Sequence, residues 1–126
     1  MTPVVELIGR DPQSLEPVER ELPTHGLDCK FLQIGNIVYF FDPIVLHLHA
    51  LEQLSPDKTW KNAGAIKFTE DGIYVYSGST SLKYNGDSEK HRLTLDQIKQ
   101  DFPGLEVGSM NYFSVIGEEQ YFGPTV

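Results

Sequence analysis

Apolar and polar positions follow two alternating periods along this chain, and each change of period marks off a predicted strand or helix. Val4-Val5 and Leu7-Ile8 form a short apolar run ended by Gly9, with so little alternation that an interior strand is predicted. Leu15, Val18 and Leu22 then recur at helical spacing, with Glu16, Glu19, Arg20 and Glu21 between them. Asp11-Pro12 opens this stretch and Pro17 interrupts it, so the predicted helix is capped by Ser14, carries an acidic outer face and closes at Pro23-Thr24-His25-Gly26. Cys29 to Ile34, Gly35-Asn36 and Ile37 to Phe41 have the form of a hairpin on a two-residue turn.

Asp42-Pro43 repeats the cap-then-proline signal, and the mostly apolar stretch Ile44 to Leu54 predicts a helix covered on most of its circumference. Ala65–Phe68 and Ile73–Ser77 flank Thr69-Glu70-Asp71-Gly72, a turn sequence, and predict a second hairpin. Ser81–Tyr84 extends that meander before a turn at Asn85-Gly86. Thr94-Leu95-Asp96-Gln97 has the form of a capping box, opening a short helix that points Leu95, Ile98 and Phe102 inward and stops at Pro103-Gly104. A last strand is predicted over Tyr112–Ile116, followed by the aromatic tail Tyr121-Phe122. Strands come in adjacent runs rather than alternating with helices. The expected fold is therefore α+β: a single domain over residues 1–126 with a mainly antiparallel sheet of about five to seven strands and about three helices.

Length supports one core, because 126 residues leave no room for a second and can bury roughly two thirds of the unfolded surface without covalent staples. Cys29 is the single cysteine, which excludes an intramolecular disulfide and any paired-cysteine zinc site and points to a reducing compartment, the cytoplasm. No secretory signal pattern or membrane-spanning apolar run is read. The net charge is −8. Residues 1–56 hold eight acids against three bases and residues 93–126 five against one, whereas the middle is nearly balanced. Phosphate backbones need clustered Lys and Arg, so direct nucleic-acid binding is not expected; an acidic face would instead steer a basic protein.

Candidate chemistry is sparse. His47 and His49 could share a metal on a strand, with Asp42 nearby, but on the predicted helix they point about 200° apart, so no metal or other cofactor is expected. Cys29 lies four residues from His25, a minimal nucleophilic pair without the oxyanion donors that acyl transfer needs. Lys90-His91-Arg92 reads as a small basic surface cluster. Ser77-Gly78-Ser79-Thr80-Ser81 with Lys83 is the most phosphate-like loop, and Ser77, Ser79, Thr80 and Lys83 are its candidate ligand-binding residues. Glu16, Glu19, Glu118, Glu119 and Tyr121, where acids meet aromatics or line a helix, are the candidate partner contacts. The reading that follows is a non-catalytic acidic protein that occludes a basic protein partner, as immunity proteins, antitoxins and phage inhibitors do. The alternatives are a domain that binds or sequesters a small ligand or nucleotide, and a small hydrolase using His47, His49 and Asp42 or Cys29 and His25. Self-association is left open.

Overall fold

In the computed structural model, which describes residues 5–22, 27–69 and 72–104, side chains of Glu19, Leu27 and Thr69 excepted, five strands form one antiparallel sheet. They are β1 (Leu7–Ile8), β2 (Leu27–Ile34), β3 (Ile37–Phe41), β4 (Asn62–Thr69) and β5 (Gly72–Tyr76), in the order β1-β3-β2-β4-β5. Two helices, α1 (His47–Leu54) and α2 (Ser88–Asp101), lie on its opposite faces. The α+β class expected from the pattern is the class observed, with two helices among the described residues rather than three.

The sheet is sandwiched because its strands carry apolar residues on both sides. Cys29 and Phe31, Val38 and Phe40, Ile66 and Phe68, and Ile73 and Val75 form the face covered by Leu95 and Ile98 of α2 and by Phe102, which caps its C-terminus, all of them buried. Leu32, Phe41 and Ala63 turn the other way and meet Ala50 and Leu51 of α1. Each fully buried Phe or Leu contributes about 2 kcal/mol by area removed from water. The β2–β3 hairpin turns on Gly35-Asn36, with Ile34 opposite Ile37. Gly35 has φ +60 and Asn36 has no positive φ, the backbone signature of a type II′ turn.

Several expectations are corrected. β1 is an edge strand of two residues, not an interior one; Val4 lies outside the described residues. The predicted helix over 14–22 is a loop ending in a single 3-10 turn, Glu19–Glu21. Its polar side chains capture the backbone amides locally: Asp11 Oδ1 accepts from Gln13 and Ser14, and Ser14 Oγ from Glu16. Asp42 does the same for the Ile44 amide, so α1 starts only at His47 and has no side-chain cap from Leu46. Ile44, Leu46 and Leu48 are exposed, so this stretch is covered on one side only.

Ser81–Tyr84 adds no strand; the bridge Ser79↔Tyr84 closes a tight loop instead. α2 begins well before Thr94, capped by Asp87, whose carboxylate accepts from the Lys90 amide at 2.9 Å. The capping-box pattern at Thr94 therefore falls in mid-helix, where Thr94 is fully buried. His91 is also fully buried, so Lys90-His91-Arg92 is not a surface cluster. The strand predicted over Tyr112–Ile116 and the tail at Tyr121-Phe122 lie outside the described residues. No helix among the described residues is long and apolar enough to cross a membrane.

Candidate functional site

Among the described residues, the buried Cys29, His47 and His91 are committed to the fold. Cys29 is buried on the α2 face, and desolvation, then the nearby charges of Asp28 and Asp42, push its thiol up to about 11, which keeps it protonated at neutral pH. His25, its proposed partner, lies outside the described residues. His47 and His49 both fall on α1, where a separation of two residues turns them apart. His47 is buried and its Nε2–H donates to the Gly64 carbonyl at 2.9 Å, while Asp42 is exposed in the turn before the helix. Among the described residues, no three His, Cys, Asp or Glu side chains come together as a metal-binding group.

His47 makes a pH prediction. Burial is the main cause that lowers its pKa from 6.5 to about 4, outweighing the hydrogen bond to Gly64. The unfolded chain therefore takes up a proton below pH 6.5 that the folded chain refuses. Stability is full above that value and falls as pH drops from 6.5 towards 4, by about 3 kcal/mol from this residue. His91 is shifted in the same direction, also chiefly by burial, and adds to the loss. Urea unfolding across this pH range should show the decline, and His47→Gln, which keeps a neutral donor, should flatten it; an unchanged slope would assign the loss elsewhere.

The loop over Ser77–Tyr84 is held from below by a buried polar network. The His91 Nε2–H donates to the Ser77 carbonyl at 2.7 Å, and its Nδ1 accepts from Asn62 at 3.0 Å. The second Asn62 N–H donates to Thr94 Oγ1, which donates in turn to Gln33 Oε1, and Tyr84 donates its hydroxyl proton to Asn62 Oδ1 at 2.7 Å. Within the loop, the Ser79 and Tyr84 amides exchange hydrogen bonds with each other's carbonyls, the Lys83 amide donates to Thr80, and Ser79 Oγ accepts from Leu82. Ser81 Oγ accepts from the Leu48 amide, supplying α1 with the cap its own sequence lacks. Ser77 and Lys83 adopt positive φ, +63 and +53, and a Cβ on Gly78 would collide with the Tyr84 carbonyl. The structure thus draws Ser77 and Ser79 inward as fasteners and leaves Thr80 and Lys83 at the exposed surface.

A concave site lies elsewhere, at the β1 edge of the sheet. A groove of about 680 Å³ is lined by Val5, Leu7, Pro12, Leu15 and Leu54, with Glu6, Glu21, Gln53 and Arg10. Glu6 and Glu21 are exposed at its margin, and Glu16, also exposed, follows Leu15 on the loop that forms one wall. Glu19 sits in the 3-10 turn beside Glu21; Glu118, Glu119 and Tyr121 lie outside the described residues. Arg10 fixes the loop from beneath: Nε donates to the Val38 carbonyl, one terminal nitrogen to the Leu15 carbonyl, and the other to Asp101 at 2.6 Å. Its guanidinium also stands 5.5 Å from the centre of the Phe102 ring.

Leu15 itself has φ +62, a left-handed backbone that costs a leucine about 1 kcal/mol. Neither Arg10 nor Leu15 is singled out by sequence reasoning, because Leu15 fits a helical period and Arg10 belongs to no motif. The one legible signal is the cluster of acids around them. Comparison of the chain with protein families, curated proteins and solved structures finds no match in any of the three.

Proposed function

We propose that this domain is a non-catalytic acidic binding protein that covers a basic surface of a protein partner, in the manner of an immunity protein, antitoxin or inhibitor, and that the β1-edge groove is its contact site. The observation that carries the reading is Leu15. A bulky residue is held in a left-handed backbone by Arg10 and presents its side chain to an apolar groove rather than to the core. Strain of this kind persists where the surrounding structure enforces it, and it clusters at sites of function. Glu6 and Glu21 at the margin, Glu16 beside Leu15 and the net charge of −8 favour a partner with Lys and Arg around an apolar anchor.

The test is affinity capture from the native lysate at low and raised salt, run in parallel with Leu15→Asn and Glu21→Lys. Asparagine tolerates the left-handed backbone, so Leu15→Asn should leave stability within about 1 kcal/mol while removing the apolar wall. A single basic protein retained by the wild type, weakened by salt and weakened roughly tenfold by each substitution, is the expected outcome. Capture that is indifferent to both substitutions places the contact elsewhere on the molecule.

A further inference from the structure

The groove borders a gap in the hydrogen bonding of the sheet edge. Because the β2–β3 hairpin closes on two residues, Ile34 and Ile37 form a hydrogen-bonded pair, and such pairs recur at Leu32 with Tyr39 and Lys30 with Phe41. Val38 and Phe40 therefore turn their backbone groups to the other side, towards β1; the bond from Arg10 Nε to the Val38 carbonyl agrees with this parity. Phe40 is paired with Ile8, so Ile8 faces β3 and Leu7 faces away from it, flanked by Val5 and Gly9 just outside the strand. Two of these three are occupied. The Val5 N–H donates to Gln53 Oε1 at 2.6 Å, and the Gly9 carbonyl accepts from the Val18 amide at 2.8 Å. Between them, the outward N–H and C=O of Leu7 hydrogen-bond to no group among the described residues, and Leu7 lines the groove.

We infer that the occupant of the groove is an extended segment of the protein partner, added to the sheet as a strand beside Leu7. This rests on the binding reading above and specifies how the partner is held. A residue opposite Leu7 would give its N–H and C=O the two bonds of a narrow antiparallel pair. Alternate side chains of such a strand point to opposite sides. One set would enter between Leu15 and Leu54, and the other would bring Lys or Arg to Glu6 and Glu21. A helical ligand would satisfy its own backbone and leave Leu7 unpaired.

The probe is a displayed library of random short linear peptides, selected on the wild type and counter-screened on Leu7→Pro, Leu7→Ala and Leu15→Asn. Proline removes only the outward Leu7 N–H and no bond to β3, a substitution that edge strands tolerate. Enriched peptides are expected to alternate apolar with basic residues and to lose at least about tenfold in affinity on Leu7→Pro but less on Leu7→Ala. N-methylation of one alternate set of peptide amides should abolish binding to the wild type, and methylation of the other set should not. Peptides weakened by Leu15→Asn yet indifferent to Leu7→Pro and to methylation would overturn strand addition and leave the groove as the contact site. Failure to enrich any peptide that distinguishes the wild type from Leu15→Asn would overturn both. Should Leu7→Pro not fold, the methylated peptides on the wild type decide the matter alone.

Discussion

Replacing Arg10 by methionine is expected to lower stability by about 3 kcal/mol and the melting temperature by roughly 10 °C or more. The guanidinium side chain is only 3% exposed and joins three parts of the fold: the β3 carbonyl of Val38, the loop carbonyl of Leu15 and the C-terminal turn of α2 through Asp101. Methionine approximates the length of the stem and keeps its apolar contacts, but it leaves two carbonyls and Asp101 Oδ2 without the donor they share. Breaking a buried ion pair by removing one member costs about 3–5 kcal/mol, and because Asp101 retains 21% exposure the lower end applies. Lysine should not restore the loss, since a single ammonium cannot reach all three acceptors in the fork geometry of arginine. Urea unfolding of Arg10→Met, Asp101→Asn and the double variant would isolate the pair as a coupling energy. A loss below about 1 kcal/mol would mean that the ion pair and both carbonyl bonds are replaced by solvent.

Asn62→Ala is expected to cost as much, about 3 kcal/mol, through a different mechanism. Asn62 is 1% exposed and engages Tyr84, His91 and Thr94 at once. Its removal strands a hydroxyl, an imidazole nitrogen and one threonine lone pair in the interior, at about 1–3 kcal/mol for each that water cannot reach. Tyr84 lies nearer the surface and can recover a solvent bond, which keeps the total below the sum. The effect should also be local. The Ser77–Tyr84 loop hangs on this network at both ends, so the Ser79 and Tyr84 amides should exchange with solvent much faster in the variant than in the wild type, while the β2 and β3 amides slow or quicken only with global stability. Uniform acceleration across the sheet would show that Asn62 supports the core generally rather than the loop.

Legibility of the fold followed the strength of the local period. The hairpin around Gly35-Asn36 and the pairing of β4 with β5 were readable because alternating or fully apolar strands bounded by turn residues have few competing conformations. The inward set Leu95, Ile98 and Phe102 was readable for the same reason in its helical form. The helix expected around Leu15, Val18 and Leu22 failed because the same stretch holds Asp11, Ser14 and Pro17. The first two bind backbone amides locally, and Pro17 has no amide to donate to a helix. The start of α2 was misplaced because the capping-box pattern at Thr94 reads as a helix start, whereas Asp87 caps the helix. Thr94 is instead buried against Gln33 and Asn62, and that contact spans 61 residues of chain to Gln33.

Of the candidate site, the sequence supplied the acids and the tertiary structure supplied the groove. That Glu16 and Glu21 accompany an apolar residue is visible in one dimension. That Leu15 turns into the left-handed region, that Arg10 anchors it to α2, and that Leu7 is left with open backbone bonds depend on where β1 ends and which strand it pairs with. The chain by itself determined the β2–β3 hairpin with its turn, the pairing partners β4 and β5, the α+β class and the acidic balance, because these follow from neighbouring residues and from sums over composition. Strand order, the edge position of β1 and the placement of buried polar side chains were decided only in three dimensions, because each is set by contacts between residues far apart in sequence, for which local propensity carries no term.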